Sequence, residues 1–293
     1  MHQSTEEGQW ERALWKKQGY PDNYVPGTFN PAFRRNARVR VHSYFDLVLD
    51  TCSVTQTLAI VFVFIATFCH LLGRSLDPRL LIWTCVMSFV MGTIAWERMD
   101  SGLVGKFSMP FCSADAAKPS ILVFLALTAA TPVLKTLTEA SSSDSIWALA
   151  AMLFILHILL ADYKVSPSGL YKLTAILSMN AAICAGVVLA SRLETNEGVF
   201  ALTLLAFELF GVYPLIRSRL VHPLPRLTLS VAISFYASDL MRSISTQLSH
   251  WMIFTLSFVS FACPGLFIWA QRFKNEIHGP WDPATPRVRV FAE

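Results

Sequence analysis

Long apolar stretches dominate the chain after about residue 50, and short polar or turn-forming segments separate them. A helix needs about 20 apolar residues to cross the ~30 Å hydrocarbon core of a membrane. Within each stretch the apolar residues are continuous rather than alternating, which disfavours a β-barrel. The pattern therefore predicts an all-α polytopic membrane helix bundle of about eight transmembrane helices. The predicted spans are Cys52–Gly73, Arg79–Trp96, Pro119–Leu137, Ser145–Asp162, Leu170–Ser191, Gly198–Ile216, Leu227–Leu248 and Trp251–Gln271.

The seventh span has the weakest apolar pattern because Asp239 and Arg242 lie inside it. Three residues apart, they share one face of a helix and can form an ion pair there. The alternative is a span that ends near Tyr236, with the rest of the segment at the membrane interface.

The distribution of Lys and Arg predicts the orientation, because basic loops stay in the cytosol. Eight spans place both termini on one side, and sixteen Lys and Arg near the membrane fall on that side against five on the other. The five are Arg74, Arg79, Lys135, Arg192 and Arg242. Seven spans would destroy this separation. Both termini are therefore predicted to be cytosolic.

This topology divides the chain into a cytosolic N-terminal segment (1–50), an eight-span transmembrane bundle (51–272) and a cytosolic C-terminal tail (273–293). Four arginines and several apolar residues alternate within Pro31–Asp50. That segment is either a helix lying on the cytosolic membrane surface or an ordinary basic flank of the first span.

The composition agrees with a chain of which a large part does not face water. Its residues are 54% hydrophobic and 15% charged, whereas soluble domains carry about 25% charged residues. The net charge of +4 gives little reason to expect a nucleic-acid partner. The six cysteines form no CxxC motif and the histidines no HExxH motif. We therefore predict no metal and no cofactor.

Three polar residues lie at membrane depth, where such groups are costly and are functional candidates. Glu208 is in the middle of the sixth span, and His157, deep in the fourth span, is a potential partner for it. Asn180 lies in the fifth span among small residues that permit close helix approach, and there it can cross-link helices. A structural polar contact is the simpler interpretation, and a proton or substrate site is the alternative.

Three further segments are distinctive: PDNYV (Pro21–Val25), TPVLKTLTEASSSDSI (Thr131–Ile146) and FKNEIHGPWDPA (Phe273–Ala284). LADY (Leu160–Tyr163) and LSMNAAICAGVVLASRL (Leu177–Leu193) lie between the second and the third. In this order they resemble the PIG-C/Gpi-two family, the C-type subunits of phosphatidylinositol N-acetylglucosaminyltransferase. The resemblance covers about Trp10 to Ala284, without a matched feature in the loop Asp100–Lys118.

The resemblance implies a multi-pass subunit of an endoplasmic reticulum membrane complex. That complex transfers N-acetylglucosamine from UDP-N-acetylglucosamine to phosphatidylinositol on the cytosolic face, the first step of GPI-anchor biosynthesis. It further implies a catalytic glycosyltransferase partner, the A-type subunit, and companion subunits H, P, Q and Y or their fungal equivalents. The sequence agrees with a non-catalytic role, because it contains no glycine-rich strand–turn–helix pattern for a nucleotide sugar.

The signature segments provide candidate contacts for lipid or partner. Lys135 and Glu139 are four residues apart and can pair on a helix face, and the following Asp144 or Ser145 can cap the fourth span. The charge distribution puts this hairpin on the lumenal side, which favours a structural role over a contact of Lys135 with a lipid phosphate. On the cytosolic side, the tail offers Arg272, Lys274, His278 and Trp281, which can contact phosphatidylinositol or the catalytic partner, or simply anchor the tail.

Two other functional classes remain open. A polytopic transporter would show repeated halves and paired broken helices, and the sequence shows neither. An intramembrane lipid-modifying enzyme would need His, Asp or Glu clustered at one depth, whereas Glu208, His157 and Asp162 are dispersed.

The charge distribution leads to a first prediction. Tags placed at Met1 and at Glu293 should both be digested by protease in intact microsomes, because an even number of spans and the basic loops hold both termini in the cytosol. A tag inserted beside Arg192 is the control and should be digested only after detergent is added. Protection of either terminal tag would contradict the orientation.

Overall fold

The computed structural model describes residues 15, 17, 19–21, 24, 34–35, 43–100, 114–136, 141–163, 173–220, 222–273 and 277–278. Two compact units are distinguished, one made of Ser43–Leu266 and one made of Met1–His42 with Phe267–Glu293. The helices are α1 (Tyr44–Leu72), α2 (Pro78–Asp100), α3 (Ala114–Thr136), α4 (Ser143–Leu160), α5 (Leu173–Ala190), α6 (Asn196–Ala206), α7 (Tyr213–Arg219), α8 (Pro223–Ile244), α9 (Thr246–Ser257) and α10 (Cys263–Gln271).

Two π-helical turns join helices into longer rods. Phe207–Val212 continues α6 into α7, and Phe258–Ala262 continues α9 into α10. Counted this way, the described residues form eight helical rods, one for each predicted span. The all-helical membrane bundle expected from the sequence is therefore confirmed.

Five of the rods are long and apolar enough to cross a membrane: α1, α4, α5, α6–α7 and α9–α10. Within α2 and α3, shorter apolar helices run over Pro78–Ile94 and Ile121–Thr136. The rod α8 is the predicted seventh span, in which Asp239 and Arg242 are both exposed. The ion pairs among the described residues are Arg74–Glu194 and Arg79–Glu197, so the proposed Asp239–Arg242 pair is not formed.

Two helix ends differ from the sequence expectation. The N-cap of α4 is Ser142, whose hydroxyl accepts a hydrogen bond from the Ser145 amide at 3.3 Å, rather than Asp144 or Ser145. A serine in extended backbone before the first turn is well placed to accept this bond. At the start of the bundle, α1 begins at Tyr44, within the segment considered for a surface helix.

The core forms where small residues let helices approach. Gly186 of α5 faces α6 so closely that an added Cβ would lie 2.8 Å from the Ala206 Cβ and 3.1 Å from Phe64 Cζ. Close approach through small residues is the usual way in which membrane helices pack without a hydrophobic driving force. The small residues of α5 predicted to permit it, Ala181, Ala182, Ala185, Gly186 and Ala190, are all buried.

Three phenylalanines fill the space beside this contact. Phe64 of α1, Phe154 of α4 and Phe210 of the first π turn have ring centroids 5.4 to 5.8 Å apart. All three are buried, and the tilted and edge-to-face arrangements are those that aromatic pairs prefer. The cluster joins α1, α4 and the α6–α7 rod.

Polar contacts tie the loops at the end of the bundle predicted to be lumenal. Arg79 of α2 binds both carboxylate oxygens of Glu197 at 3.0 and 3.1 Å, and Arg74 pairs with Glu194. His70 at the end of α1 lies 2.8 Å from the Ser243 hydroxyl of α8. Two arginines at this end, Arg74 and Arg79, are thus each paired with a glutamate.

The second unit is described by itself. It contains a two-residue antiparallel pair, β1 (Arg34–Arg35) with β2 (Ile277–His278), in which Arg34 is opposite His278. Segments from the two ends of the chain therefore form one sheet.

The close α5–α6 approach generates a stability prediction. Gly186→Ala should lower the free energy of unfolding by about 1–3 kcal/mol, because its Cβ meets atoms fixed to neighbouring helices. Gly211→Ala is the matched control, since nothing lies within 4 Å of its added Cβ. Reversible unfolding of the purified chain in mixed detergent micelles measures both. Equal effects at the two positions would show that the α5–α6 contact is not tight.

Candidate functional site

A half-buried arginine organises one end of the helical bundle. Arg217, at the end of the α6–α7 rod, donates to the Ser53 carbonyl at 3.1 Å and to the Thr57 hydroxyl at 2.8 Å. Its other terminal nitrogen donates to the Asp162 carbonyl at 3.1 Å. One guanidinium thus joins α1, α7 and the segment after α4. Arginine suits this task because its planar fork carries several donors in fixed directions.

A second chain of hydrogen bonds lies at the same end. The Tyr213 hydroxyl donates to Gln56 Oε1 at 3.0 Å, and Gln56 Nε2 donates to the Arg226 carbonyl at 2.9 Å. Gln56 is fully buried, so both halves of its amide need partners inside the protein. The bonds connect α1 to α7 and to α8. We call Ser53, Gln56, Thr57, Tyr213 and Arg217 the polar cluster.

The segment after α4 completes this end. Tyr163 donates its hydroxyl hydrogen bond to the Ile158 carbonyl. Burial raises the pKa of the Tyr163 phenol, and the nearby Arg217 guanidinium partly opposes that increase. The phenol is therefore neutral at physiological pH and acts as a donor rather than as a base.

The two ionisable residues suggested as a pair have different partners. His157 Nδ1 lies 3.0 Å from the Ser178 carbonyl, and the Ser178 hydroxyl donates to the His157 carbonyl at 2.8 Å. The ring therefore carries its proton on Nδ1 and joins α4 to α5. Glu208 instead contacts the Ser88 hydroxyl and the Cys85 thiol of α2. The His157–Glu208 pair considered from the sequence is not formed, because these nearer partners satisfy each group.

Glu208 lies on the floor of a lateral groove between α2 and α8. The groove has a volume of about 440 Å³. Its floor is formed by α1 and by the rod that contains the first π turn. Such turns are frequent at functional sites because they shift side chains out of helical register. The lining residues are Ile60, Val63, Thr67, Leu81, Thr84, Cys85, Ser88, Phe89, Gly92, Thr93, Leu205, Glu208, Leu209, Val212, Tyr213, Leu215, Ile216, Leu229, Ile233 and Tyr236.

The remaining predicted site residues are described one by one. Lys135 is half-buried in the last turn of α3, at the end opposite the polar cluster, and Asn180 is exposed on α5. Arg272 is exposed after α10, and His278 is in β2. Glu139, Lys274 and Trp281 lie outside the described residues. Roles for these residues in contacting lipid or partner stay predictions.

Sequence reasoning missed the polar cluster and the partners of Glu208. The charge pattern marks Arg217 only as a basic residue flanking a span, and Gln56 lies between Thr55 and Thr57 near the start of the first predicted span. The available signal was an amide within α1 and a tyrosine four residues before an arginine. Because residues four apart share a helix face, Tyr213 and Arg217 face the same neighbour.

The polar cluster leads to a stability prediction. Arg217→Met should lower the free energy of unfolding by about 2–3 kcal/mol, because the carbonyls of Ser53 and Asp162 lose a charged donor in a partly buried site. Arg242→Met on the exposed face of α8 is the control and should change it by less than about 0.5 kcal/mol. Reversible unfolding in mixed micelles measures both variants. An unchanged free energy of unfolding in Arg217→Met would show that the cluster does not hold this end together.

Comparisons with known proteins cover nearly the whole chain. Residues 10–282 match the family model GPI2, described as phosphatidylinositol N-acetylglucosaminyltransferase. A Schizosaccharomyces pombe protein named phosphatidylinositol N-acetylglucosaminyltransferase GPI2 subunit is 34% identical over 95% of this chain and 87% of its own length. No solved structure matches the chain.

Mammalian relatives are similar to the same extent. The Bos taurus and Homo sapiens proteins, each named as the C subunit of phosphatidylinositol N-acetylglucosaminyltransferase, are 34% and 33% identical, over 96% of this chain and 94% of their own length. Both the family model and these relatives extend across all eight helical rods. The chain belongs to the GPI2 family, the C-type subunits of phosphatidylinositol N-acetylglucosaminyltransferase.

Proposed function

We propose that this chain is a membrane subunit of the complex that transfers N-acetylglucosamine from UDP-N-acetylglucosamine to phosphatidylinositol. The observation that carries the proposal is family membership over residues 10–282, on a chain whose described part is a helical membrane bundle. The relatives bear the name of a subunit of this transferase. A multisubunit complex in a membrane is thus the setting in which the chain works.

The chain is non-catalytic in this proposal. Sugar transfer requires groups that converge on the reacting atoms. Among the described residues, Arg217, His157 and Glu208 each bind separate carbonyl, hydroxyl or thiol partners on different helices. These contacts join helices to one another, which suits a scaffold that positions another subunit.

The polar cluster supports a docking role for one end of the bundle. It lies in the N-terminal half of α1, along α7 and near the start of α8, towards the end that the charge distribution assigns to the cytosol. Four elements are joined there by directional hydrogen bonds. A rigid end loses less conformational entropy when a partner binds. The proposed partners are the catalytic A-type glycosyltransferase and the companion subunits H, P, Q and Y or their fungal equivalents.

The proposed location is the endoplasmic reticulum membrane, with sugar transfer on the cytosolic face. The basic loops on the side of both termini favour a cytosolic position for that end. Arg272, exposed after α10, and the tail beyond it are the proposed contacts to phosphatidylinositol or to the catalytic partner.

Genetic removal of the chain tests the proposal. Microsomes that lack it should form no N-acetylglucosaminyl-phosphatidylinositol from labelled UDP-N-acetylglucosamine, and re-expression of the wild-type chain should restore synthesis. Purification in mild detergent should also recover a separate cytosol-facing glycosyltransferase.

A control separates the scaffold from a catalyst. The purified chain alone, given UDP-N-acetylglucosamine and phosphatidylinositol, should form no product, whereas the recovered complex should. Normal synthesis in microsomes without the chain would reject its role in the complex. Product formation by the isolated chain would reject the non-catalytic assignment.

A further inference from the structure

We propose that the lateral groove between α2 and α8 binds one acyl chain of a phospholipid from the surrounding membrane. This inference concerns a site within the bundle and does not depend on the proposed function. It follows from the size, the length and the chemistry of the groove.

The size of the groove fits a small apolar ligand. Its volume of about 440 Å³ lies within the range of about 300–1,000 Å³ that is usual for ligand sites. A single hydrocarbon chain therefore fits within the groove.

The length of the groove also fits an acyl chain. Its lining along α2 runs from Leu81 to Thr93, which is about 18 Å at 1.5 Å per residue. One leaflet of a bilayer contains about 15 Å of hydrocarbon. An acyl chain of ordinary length therefore extends along the groove without a large void at either end.

The chemistry of the lining favours hydrocarbon over a charged group. Most lining residues are apolar, and none of those named is Lys, Arg or His. The Thr84 hydroxyl bonds to the Leu81 carbonyl at 2.7 Å, so it needs no partner in the groove. The Thr93 hydroxyl bonds to the Val90 carbonyl at 2.7 Å in the same way.

Glu208 is the exception, and its contacts make it compatible with hydrocarbon. The Ser88 hydroxyl has one proton and lies 3.0 Å from the Cys85 carbonyl, which can only accept. A neutral Glu208 carboxyl can donate to the Ser88 oxygen while that proton goes to the carbonyl. Both contacts are then satisfied and no charge faces the groove, which avoids the cost of an ion at membrane depth.

Among the described residues that line the groove there is no cation to bind a phosphate, so the groove recognises the acyl chain rather than the headgroup. Phosphatidylinositol and phosphatidylcholine with the same acyl chains should therefore bind alike. This equality distinguishes an acyl-chain groove from a site that selects the substrate lipid of the transferase.

Photoreactive lipids test the site in the full chain reconstituted in lipid nanodiscs. Phosphatidylinositol and phosphatidylcholine, each with a diazirine midway along one acyl chain, should both label α2 and α8 peptides that contain groove residues. Leu229→Trp and Thr84→Trp, on opposite walls, should each lower that labelling about tenfold by filling the groove. Leu227→Trp is the matched control, because Leu227 is exposed on the same helix and does not line the groove.

One measurement and one choice of variant keep the outcome clear. The unfolding midpoint of each variant shows whether it is folded, and exposed Thr84 provides a wall variant that leaves the core intact. Labelling spread evenly over outward-facing helix surfaces, or unchanged by both wall variants, would overturn the proposal. Labelling by phosphatidylinositol alone would overturn the inference that the groove ignores the headgroup.

Discussion

Polar groups at membrane depth must find their partners within the protein, and this constraint explains the central position of α1. That helix carries Ser53, Thr55, Gln56, Thr57 and Thr67, all buried. Lipid offers none of them a hydrogen bond. Over an 18-residue apolar segment of α1, 72% of the residues are buried inside the bundle. Over the corresponding segment of α9–α10, 17% are buried. A helix rich in hydroxyl and amide groups therefore packs inside, and helices with uniformly apolar surfaces surround it.

The π turns obey the same constraint. A π turn weakens the regular backbone bonds of its helix and leaves carbonyls that need other donors. Next to the second π turn, Tyr44 of α1 donates to the Phe261 carbonyl at 3.2 Å, and the Thr55 and Ser260 hydroxyls lie 2.8 Å apart. The first π turn brings Phe210 into the aromatic cluster and Glu208 against Ser88. At the second π turn, α1 thus supplies a donor to a carbonyl of the irregular backbone.

Polar side chains are used differently in the polar cluster and in the groove. At one end, Arg217 and Gln56 use their hydrogen bonds for helix-to-helix contacts, which fixes the geometry of that end. In the groove, the threonine hydroxyls bond to their own helix and leave a hydrocarbon-like surface. In the proposed function, these contacts would hold a catalytic partner in a fixed position, and the proposed groove would accommodate lipid beside it. The ionisable groups that suggested chemistry in the sequence are occupied by packing contacts.

The amino-acid sequence alone establishes that the chain is a helical membrane bundle. It also predicts the positions of the eight rods seen in the described residues, and it indicates the family. Apolar length and short polar breaks suffice for the first two, because a backbone in lipid must form helices. The signature segments suffice for the third. The partners of Glu208, His157 and Arg217, and the groove itself, became visible only in the folded bundle. They depend on which helix faces meet, and nearly uniform apolar surfaces specify length and depth but not rotation about the helix axis.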